Sequence, residues 1–592
     1  MAGTLSRGKR WRKVRNKTLA EKAKAYVRRD FRPDIVAGLT VTVVALPQSM
    51  AYAIIAGVPP AYGLYTSIVS GLVGSLLGSS SHLITGPTNA TALMFAATLA
   101  AYDGDISGAE LVVLYTFMIG VLKLIFGAAG FGGLVRYVSD AVIIGFLAGA
   151  GCLIVGNQIE PFFGIEVAST QGQPFLLRMV EILGHTVEAN PYTVGLSVGT
   201  VVIVLLADRI NKNLPGALIA FGVGGLLVYA LGLDARGVAT IGSISSIPRA
   251  LPPFQMVHFD YGAMEALMPS AIALAVVGLM EVTAISKATA RLSGQHLEPN
   301  REFAAQGISN IVGAFFLNFA SSGSLGRTLA NYYSGAHTRV AGILSALFTA
   351  AVLLAFGPLG EYIPLGCLAG FLMVLAIQMV RLDRIRQAMR AGRESAIVLV
   401  MTLAATLVLR IDYAIYLGVG LSLVFFVRRS SALRIGLLVP TPGKSFRQVP
   451  LSGDELAKLR GEVVIINIVG AMYFAVMEEF VGLISQVRDL KPRAVILRIR
   501  RVSNIDSSGL EVLEEFHREM SAQGVPLFLC GVDKWMMRVL RKSGLASKIG
   551  VTRVVVSDEL MFNSMERTLE LAEAAAEHYE KHGTKEPEAP GE

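Results

Sequence analysis

Long apolar runs separated by short polar segments fill the chain from residue 35 to residue 427. A helix that crosses a bilayer needs about 20 mostly apolar residues. Twelve runs approach or exceed that length and predict full spans: 35–56, 60–78, 109–130, 137–155, 192–208, 214–233, 265–285, 303–318, 338–357, 363–380, 394–410 and 412–427. Two further apolar stretches, 87–100 and 325–335, are too short to cross and predict half-helices. The pattern predicts an all-α polytopic membrane domain of fourteen segments, and the adjoining runs near residue 411 also admit another division.

Basic residues in the loops between these runs concentrate on one side of the predicted membrane. The loops of that side carry Arg136, Arg209, Lys212, Lys287, Arg291, Arg301, Arg339, Arg381, Arg384, Arg386, Arg390 and Arg393. The opposite loops carry only Arg178, Arg236 and Arg249, with Arg410 at a span edge. Cytoplasmic loops hold the excess of Lys and Arg. The sequence therefore predicts a multi-pass protein of the plasma or inner cell membrane with both termini in the cytoplasm.

The two half-helices occupy matching places when the fourteen segments are divided seven and seven. Each is third in its half and begins in a glycine-containing broken segment, at 81–90 and at 320–328, where a short extended piece runs into the helix. Interrupted segments at matching positions indicate an inverted repeat with the binding site between the halves. Each half-helix N-terminus offers unpaired N–H groups and about half a positive charge. This arrangement predicts an anion site formed largely by backbone.

Composition and charge narrow the class of protein. Hydrophobic residues make up 53% of the 592 positions and charged residues 16%, against about 25% charged in soluble proteins. The net charge is +9, and the lysines and arginines that produce it lie beside apolar spans. This placement favours anionic lipid over nucleic acid as a partner. The basic N-terminus is followed by no apolar segment until residue 34, so it is not interpreted as a cleaved signal peptide.

Cys152, Cys367 and Cys530 show no disulfide or metal-ligand spacing. No nucleophile–base pair stands out either. We therefore predict no cofactor, no metal and no catalytic residue.

Ionisable side chains inside membrane segments are costly and indicate function. Arg327 begins the second half-helix and would add a full charge to the anion site, with snorkelling to the interface as the alternative. Glu281 lies deep in a span; a coupling role as proton carrier is favoured over a cation ligand or an ion-pair partner of Arg327. No functional role is predicted for Lys123, which is also charged and lies in a predicted span. Gln48 and Tyr52 interrupt the first span, where Gln48 could donate to an anion or to a neighbouring helix.

The periodicity changes after residue 434. Three buried strands are predicted at 463–468, 494–499 and 526–530, alternating with helices at 472–489, 508–522 and 533–543, which indicates a small α/β domain. Asp506 or Ser507 would cap the second of these helices. The predicted organisation is a basic segment 1–33, a transporter domain 34–428, a linker 429–460, an α/β domain 461–562, and a helical extension with a disordered tail 563–592.

Several of these motifs together resemble the SulP (sulfate permease) family. Residues 60–67 are similar to the family signature and residues 47–53 to its first-helix motif. Residues 86–88 and 323–328 are similar to the half-helix motifs, and Glu281 matches the acid of the eighth helix. The C-terminal part resembles a STAS domain, in which residues 506–509 match the motif around a phosphorylated serine, here Ser507.

The resemblance implies a core bundle (segments 1–4 and 8–11) that moves against a gate bundle, usually in a homodimer. Its substrate site would comprise Gln48, Tyr52, Thr88, Ser324, Leu325, Gly326 and Arg327. Glu281 resembles the acid of proton-coupled relatives. Two departures, Gly326 in place of a serine and Ile285 in place of a threonine, weaken the reading as a sodium–bicarbonate carrier.

The function expected from these features is secondary active transport of a small anion, sulfate first, by proton symport with an elevator-like mechanism. Bicarbonate or dicarboxylate transport and uncoupled exchange or channel activity are alternatives within the same fold. A nucleobase permease and a sensor that signals through the STAS domain are further alternatives. A cytoplasmic protein partner of the STAS domain is also expected.

Overall fold

A computed structural model describes residues 26–27, 29–106, 108–132, 139–165, 167, 175–210, 214–430, 434–441, 445–450, 459, 461–472, 477–557 and 563–582. The chain forms two compact units that divide at residues 423 and 424, within the helix Ile411–Ser430, which is given below with the first unit. The first unit is helical. The second contains a β-sheet, and each unit is described by itself.

The elements of the first unit run in the order α1 Phe31–Ile55, α2 Pro60–Leu77, β1 Thr85–Gly86, α3 Asn89–Ala101, α4 Gly108–Ala128, α5 Asp140–Phe163, α6 Phe175–Gly184, α7 Pro191–Ile210, α8 Gly216–Leu231, α9 Ile241–Ile244, α10 Tyr261–Ser293, α11 Pro299–Ala314, β2 Ser322–Gly323, α12 Leu325–Tyr333, α13 Val340–Phe356, α14 Leu365–Met379, α15 Leu382–Arg390, α16 Arg393–Val408 and α17 Ile411–Ser430. Among the described residues, eight helical stretches are long and apolar enough to cross a membrane. Each of the fourteen predicted segments overlaps one helix. The inverted relation of the two halves stays a prediction.

Two groups of helices pack within this unit. In the first group α1 packs against α13, α2 against α11 and α13, and α4 against α10 and α11. In the second group α5 and α7 pack against α14, and α5 also packs against α16. Close approach in the first group depends on missing side chains: a Cβ on Gly120 would lie 2.6 Å from the Ile311 nitrogen, and one on Gly307 would lie 2.5 Å from the Leu124 nitrogen. Small residues permit such backbone contact between membrane helices. The first group consists of segments that the resemblance assigns to a core bundle and the second of segments that it assigns to a gate bundle; that the two bundles move against each other stays a prediction.

The breaks that precede the half-helices pair with each other. Thr85 pairs with Gly323 and Gly86 with Ser322, antiparallel. Two strands from distant parts of the chain thus cross as a short ribbon inside the helical unit. The Gln306 side chain donates to the Thr85 hydroxyl at 2.8 Å, so a helix of the core bundle fixes the ribbon.

Polar side chains satisfy the backbone that leaves the helical pattern at this ribbon. The Asn310 amide accepts from the Ser321 nitrogen at 2.9 Å and donates to the Ser321 oxygen at 3.2 Å. The Thr328 hydroxyl accepts from the Ile84 nitrogen at 3.0 Å. Unpaired backbone groups in a low-dielectric interior are costly, and these contacts allow non-helical backbone to persist there.

The second unit contains a six-stranded mixed sheet in the order β4-β3-β5-β6-β7-β8. Its elements are β3 Arg434–Thr441, β4 Ser445–Pro450, β5 Val463–Met472, α18 Met477–Leu490, β6 Ala494–Ile505, α19 Ser507–Ala522, β7 Leu527–Val532, α20 Lys534–Lys542, α21 Leu545–Ile549, β8 Val554–Val556 and α22 Asn563–His582. The strands β5 to β8 are parallel, and β3 is antiparallel to both of its neighbours. The helix α22 packs on β6 and β7.

Two details of this unit differ from the sequence-based expectation. The range 429–460 was expected to be a linker, and the structure instead places β3 and β4 there, hydrogen-bonded into the sheet. Gly436 and Pro440 dilute the strand pattern, and the pairing partner of β3 lies further along the chain. The helix expected over 472–489 begins at Met477 because β5 continues to Met472. Most of the N-terminal segment 1–33 and the expected tail beyond 582 lie outside the described residues.

Candidate functional site

The first half-helix, α3, begins with a reciprocal cap. The Thr88 side chain accepts from the Thr91 nitrogen at 3.3 Å, and the Thr91 hydroxyl accepts from the Thr88 nitrogen at 3.2 Å. This capping box fixes where the helix starts. Thr88, a predicted site residue, therefore lies at the positive end of α3, directly after the ribbon.

The second half-helix, α12, begins differently. Ser324 occupies its N-cap but its side chain makes no capping hydrogen bond. The next residues, Leu325 and Gly326, are exposed, and no atom lies within 4 Å of a Cβ placed on Gly326. The N-terminus of α12 thus borders open space, in which unsatisfied N–H groups and the helix dipole favour an anion.

Arg327 connects the second half-helix to the first. Its side chain is 1% exposed, Nη1 donates to the Ser67 hydroxyl at 3.1 Å, and Nη2 donates to the Pro87 carbonyl. Nε has no hydrogen-bond partner. A Cβ on Gly86 would lie 2.6 Å from Nη1, so the guanidinium packs directly against this glycine. Arg327 is turned inward toward the junction of the half-helices and does not snorkel.

The Glu281 carboxylate is joined to the first half-helix. It accepts a hydrogen bond from the Thr88 hydroxyl at 3.0 Å, and the Ser322 side chain lies beside it. No ion pair with Arg327 occurs among the described side chains. The fully buried Lys123 is the cation that interacts electrostatically with this carboxylate, and its ammonium donates to the Ser321 carbonyl at 2.6 Å.

Of the two predicted site residues of α1, Tyr52 lies near the same charges. Tyr52 is buried and interacts electrostatically with both Arg327 and Glu281. The Gln48 side-chain oxygen is buried and has no hydrogen-bond partner, a condition that native structures rarely tolerate without a ligand or water. Tyr52 therefore faces the two charges of the site, and Gln48 has an unused polar atom on the same helix.

Some residues of this arrangement were not identified from the sequence as parts of the site. Ser67 accepts from Arg327 and forms a 2.6 Å hydroxyl–hydroxyl contact with Ser49, which links α1, α2 and α12. Gly86 provides the space for the guanidinium. Both lie inside motifs that the sequence shows, but only the folded contacts give them a role.

Ser507 lies in the second unit and is exposed at the start of α19. The Asp506 carboxylate accepts from the Gly509 nitrogen at 2.9 Å. The cap that the sequence left open between the two residues is therefore Asp506. This leaves the Ser507 hydroxyl available at a helix N-terminus.

No cluster of three or more metal-ligating side chains occurs among the described residues. Cys367 and Cys530 are buried free thiols, and Cys152 is an exposed one.

Comparison with known proteins shows which families and structures this chain is similar to. Residues 31–402 match the model of the sulfate permease family, and residues 456–563 match the model of the STAS domain. The Bacillus subtilis (strain 168) protein YvdB is 30% identical over 89% of this chain and 96% of its own length. The chloroplastic sulfate transporter 4.1 of Arabidopsis thaliana is 27% identical over 88% of this chain and 78% of its own length. The murine Solute Carrier 26 family member A9 anion transporter, in the inward-facing state, superposes with a TM-score of 0.80 at 18% identity, covering 94% of this chain and 96% of that one.

Proposed function

The chain belongs to the sulfate permease family, a family of transporters and not of enzymes, and from this premise we propose that it carries a small anion across a cell membrane. Sulfate is the first candidate substrate, because it is the substrate named for the Arabidopsis relative. Transport is secondary active and coupled to protons. Both termini lie in the cytoplasm, and the chain works as a homodimer with a STAS domain that binds a further protein.

The observation that carries proton coupling is the hydrogen bond between Thr88 and Glu281. It connects a carboxylate in the middle of a membrane helix to the N-terminus of a half-helix at which the anion would bind. A protonation change at Glu281 therefore reaches the N-terminus of α3 through a single residue, Thr88. Intramembrane carboxylates commonly serve as proton relays.

The buried charges explain how the proton and the anion assist each other. The Arg327 guanidinium is a fully buried cation. When Glu281 is ionised, Arg327 and Glu281 together carry no net charge; when Glu281 is protonated, the two groups together carry +1. Protonation thus makes the site better suited to a dianion, and by linkage the dianion favours protonation. The same charges disfavour a neutral nucleobase.

The packing supports an elevator-like movement. The ribbon, both half-helices and Arg327 belong to the core bundle, whose helices approach closely through Gly120 and Gly307. A group packed so tightly is suited to move as one body. At the border with the gate bundle, the Asn89 amide of α3 contacts the Met379 sulfur of α14 at 3.0 Å, a contact that such a movement would have to break.

The test is uptake by proteoliposomes that contain the purified full chain. Labelled sulfate, bicarbonate, oxalate, a dicarboxylate and uracil are offered with and without an inward proton gradient. We expect sulfate to accumulate only with the gradient. Accumulation of another anion would reassign the substrate, and sulfate binding without flux would indicate a sensor.

The variant Glu281→Gln separates coupling from binding. Glutamine retains the acceptor for Thr88 but cannot take up a proton. We expect sulfate–sulfate exchange to continue while gradient-driven accumulation is lost. Accumulation by the variant under the gradient, or wild-type uptake that ignores protons and reverses with the chloride or sulfate potential, would contradict proton symport.

A further inference from the structure

A short helix of the second unit carries an unusual combination of side chains. Its sequence, from residue 534 to 542, is KWMMRVLRK, with four basic residues and no acidic one. Met536 and Leu540 are buried against the domain. Lys534, Arg538, Arg541 and Lys542 recur at helical spacing on the opposite side and are all exposed. We refer to these four residues with Trp535 as the basic face of α20.

No carboxylate among the described residues of the second unit neutralises the charges of the basic face. Within the part of the second unit that the structure describes, none of the four cations pairs with a carboxylate. The adjoining Asp533 carboxylate is engaged as the helix cap, where it accepts from the Met536 nitrogen at 2.7 Å. The neighbouring Lys548, by contrast, is paired with Glu514. The basic face therefore presents a concentrated positive charge to solvent.

Trp535 lies among these cations and is 39% exposed. An indole has an apolar body and one N–H donor, a combination enriched at the membrane–water interface. Lysine and arginine clusters attract the anionic headgroups of the cytoplasmic leaflet. A surface that combines basic side chains with an exposed indole is therefore suited to contact the headgroup layer, while the apolar side of α20 stays packed against its own domain.

We propose that the basic face of α20 binds the anionic phospholipid headgroups of the bilayer that holds the first unit. Cations pair with lipid phosphates, and the Trp535 ring enters the headgroup layer. The covalent connection to the membrane unit keeps this face at a high effective concentration near the lipid, so a modest intrinsic affinity is sufficient. An acidic protein is the competing partner for such a surface; it would account for the four cations but not for the exposed Trp535 ring.

The chain has two tryptophans, Trp11 and Trp535, which makes the proposal directly measurable. Trp11→Phe leaves Trp535 as the sole indole of the full chain. The protein is placed in nanodiscs of phosphatidylglycerol or of phosphatidylcholine, each with or without bromine on the acyl chains close to the headgroup. Bromine quenches tryptophan emission only at short range.

We expect brominated phosphatidylglycerol to reduce Trp535 emission, and brominated phosphatidylcholine to leave it unchanged. The quenching should disappear at about 1 M salt, where the screening length falls to about 3 Å. It should also disappear in the quadruple variant K534Q/R538Q/R541Q/K542Q. The control variant R447Q/K491Q/R518Q/R567Q removes the same charge from exposed positions outside α20 and should retain the quenching.

Three results would overturn the proposal. Emission that is insensitive to bromine in anionic discs would show that the indole does not meet the lipid. Equal quenching in phosphatidylcholine would show that charge does not select the surface. Equal loss in the control variant would attribute the effect to net charge and not to the basic face.

Discussion

Replacing Gly86 with alanine places a methyl group where the Arg327 guanidinium lies. The added Cβ would be 2.6 Å from Nη1, 3.0 Å from Nη2 and 3.1 Å from Cζ. The guanidinium has little room to withdraw because it is 1% exposed and donates to Ser67 and to the Pro87 carbonyl. We therefore expect the substitution to displace the charge that joins the two half-helices.

The magnitude follows from the hydrogen bonds at risk. A hydrogen bond made by a charged group contributes about 1.5–3 kcal/mol. Losing the equivalent of one such bond from the binding-competent arrangement corresponds to a roughly 10- to 150-fold weaker affinity for sulfate. Isothermal titration calorimetry of the purified chain measures this directly, and Arg327→Ala gives the loss expected when the charge is absent.

Gly71→Ala is the matched control. Gly71 lies in α2 of the same bundle, and its Cβ would meet the Thr85 oxygen at 3.5 Å and the Ala346 Cβ at 3.7 Å, which are ordinary contacts. We expect wild-type affinity for this variant. If Gly86→Ala also binds sulfate normally while Arg327→Ala does not, the position of the guanidinium is unimportant. An equal loss in Gly71→Ala would show that the effect is general to helix packing.

Three further outcomes are expected. Gly326→Ser should fold normally, because no atom lies within 4 Å of the new Cβ, and the added hydroxyl at the N-terminus of α12 should tighten sulfate binding. Unchanged affinity would show that the anion does not bind within hydrogen-bond distance of this hydroxyl. Asp34→Ala should lower the thermal denaturation temperature, because the buried carboxylate accepts from the His337 and Thr338 nitrogens at 2.8 and 3.1 Å and each donor left unpaired costs about 1–3 kcal/mol. If Asp34→Ala, Asp34→Asn and the wild type denature at the same temperature, this contact does not stabilise the fold. Ser507→Glu should keep the helical circular dichroism while changing transport or partner binding, because it adds charge at a helix N-terminus; no change in either would leave Ser507 without a regulatory role.

The sequence alone determined the elements whose formation depends on local composition. A membrane helix is specified by its own apolar run, since the bilayer requires backbone hydrogen bonds to close within the segment. This is why α1, α4 and α10 follow from hydropathy, and why the half-helices α3 and α12 could be identified as short segments after glycine breaks. The same local reasoning identified Arg327 and Glu281, because charge is conspicuous where lipid makes it costly.

The partners of those charges were decided only by the tertiary structure. Glu281 was considered as an ion-pair partner of Arg327, but folding brings it to the Thr88 hydroxyl and near Lys123. Arg327 meets Ser67, which lies 260 positions away in the chain. No local pattern encodes such a contact, because it depends on how several helices stack.

The strands show the same limit. The pairing of Thr85 with Gly323 joins two breaks that are far apart in the chain, and β3 enters the sheet through hydrogen bonds to β5. A strand gains much of its stabilisation from its neighbours. Composition therefore identified β5, β6 and β7, which each contain a run of at least four apolar residues, but not β3 and β4. Local hydrophobicity thus determined which segments of this chain enter the membrane or the core, whereas long-range packing decided which of their polar groups meet.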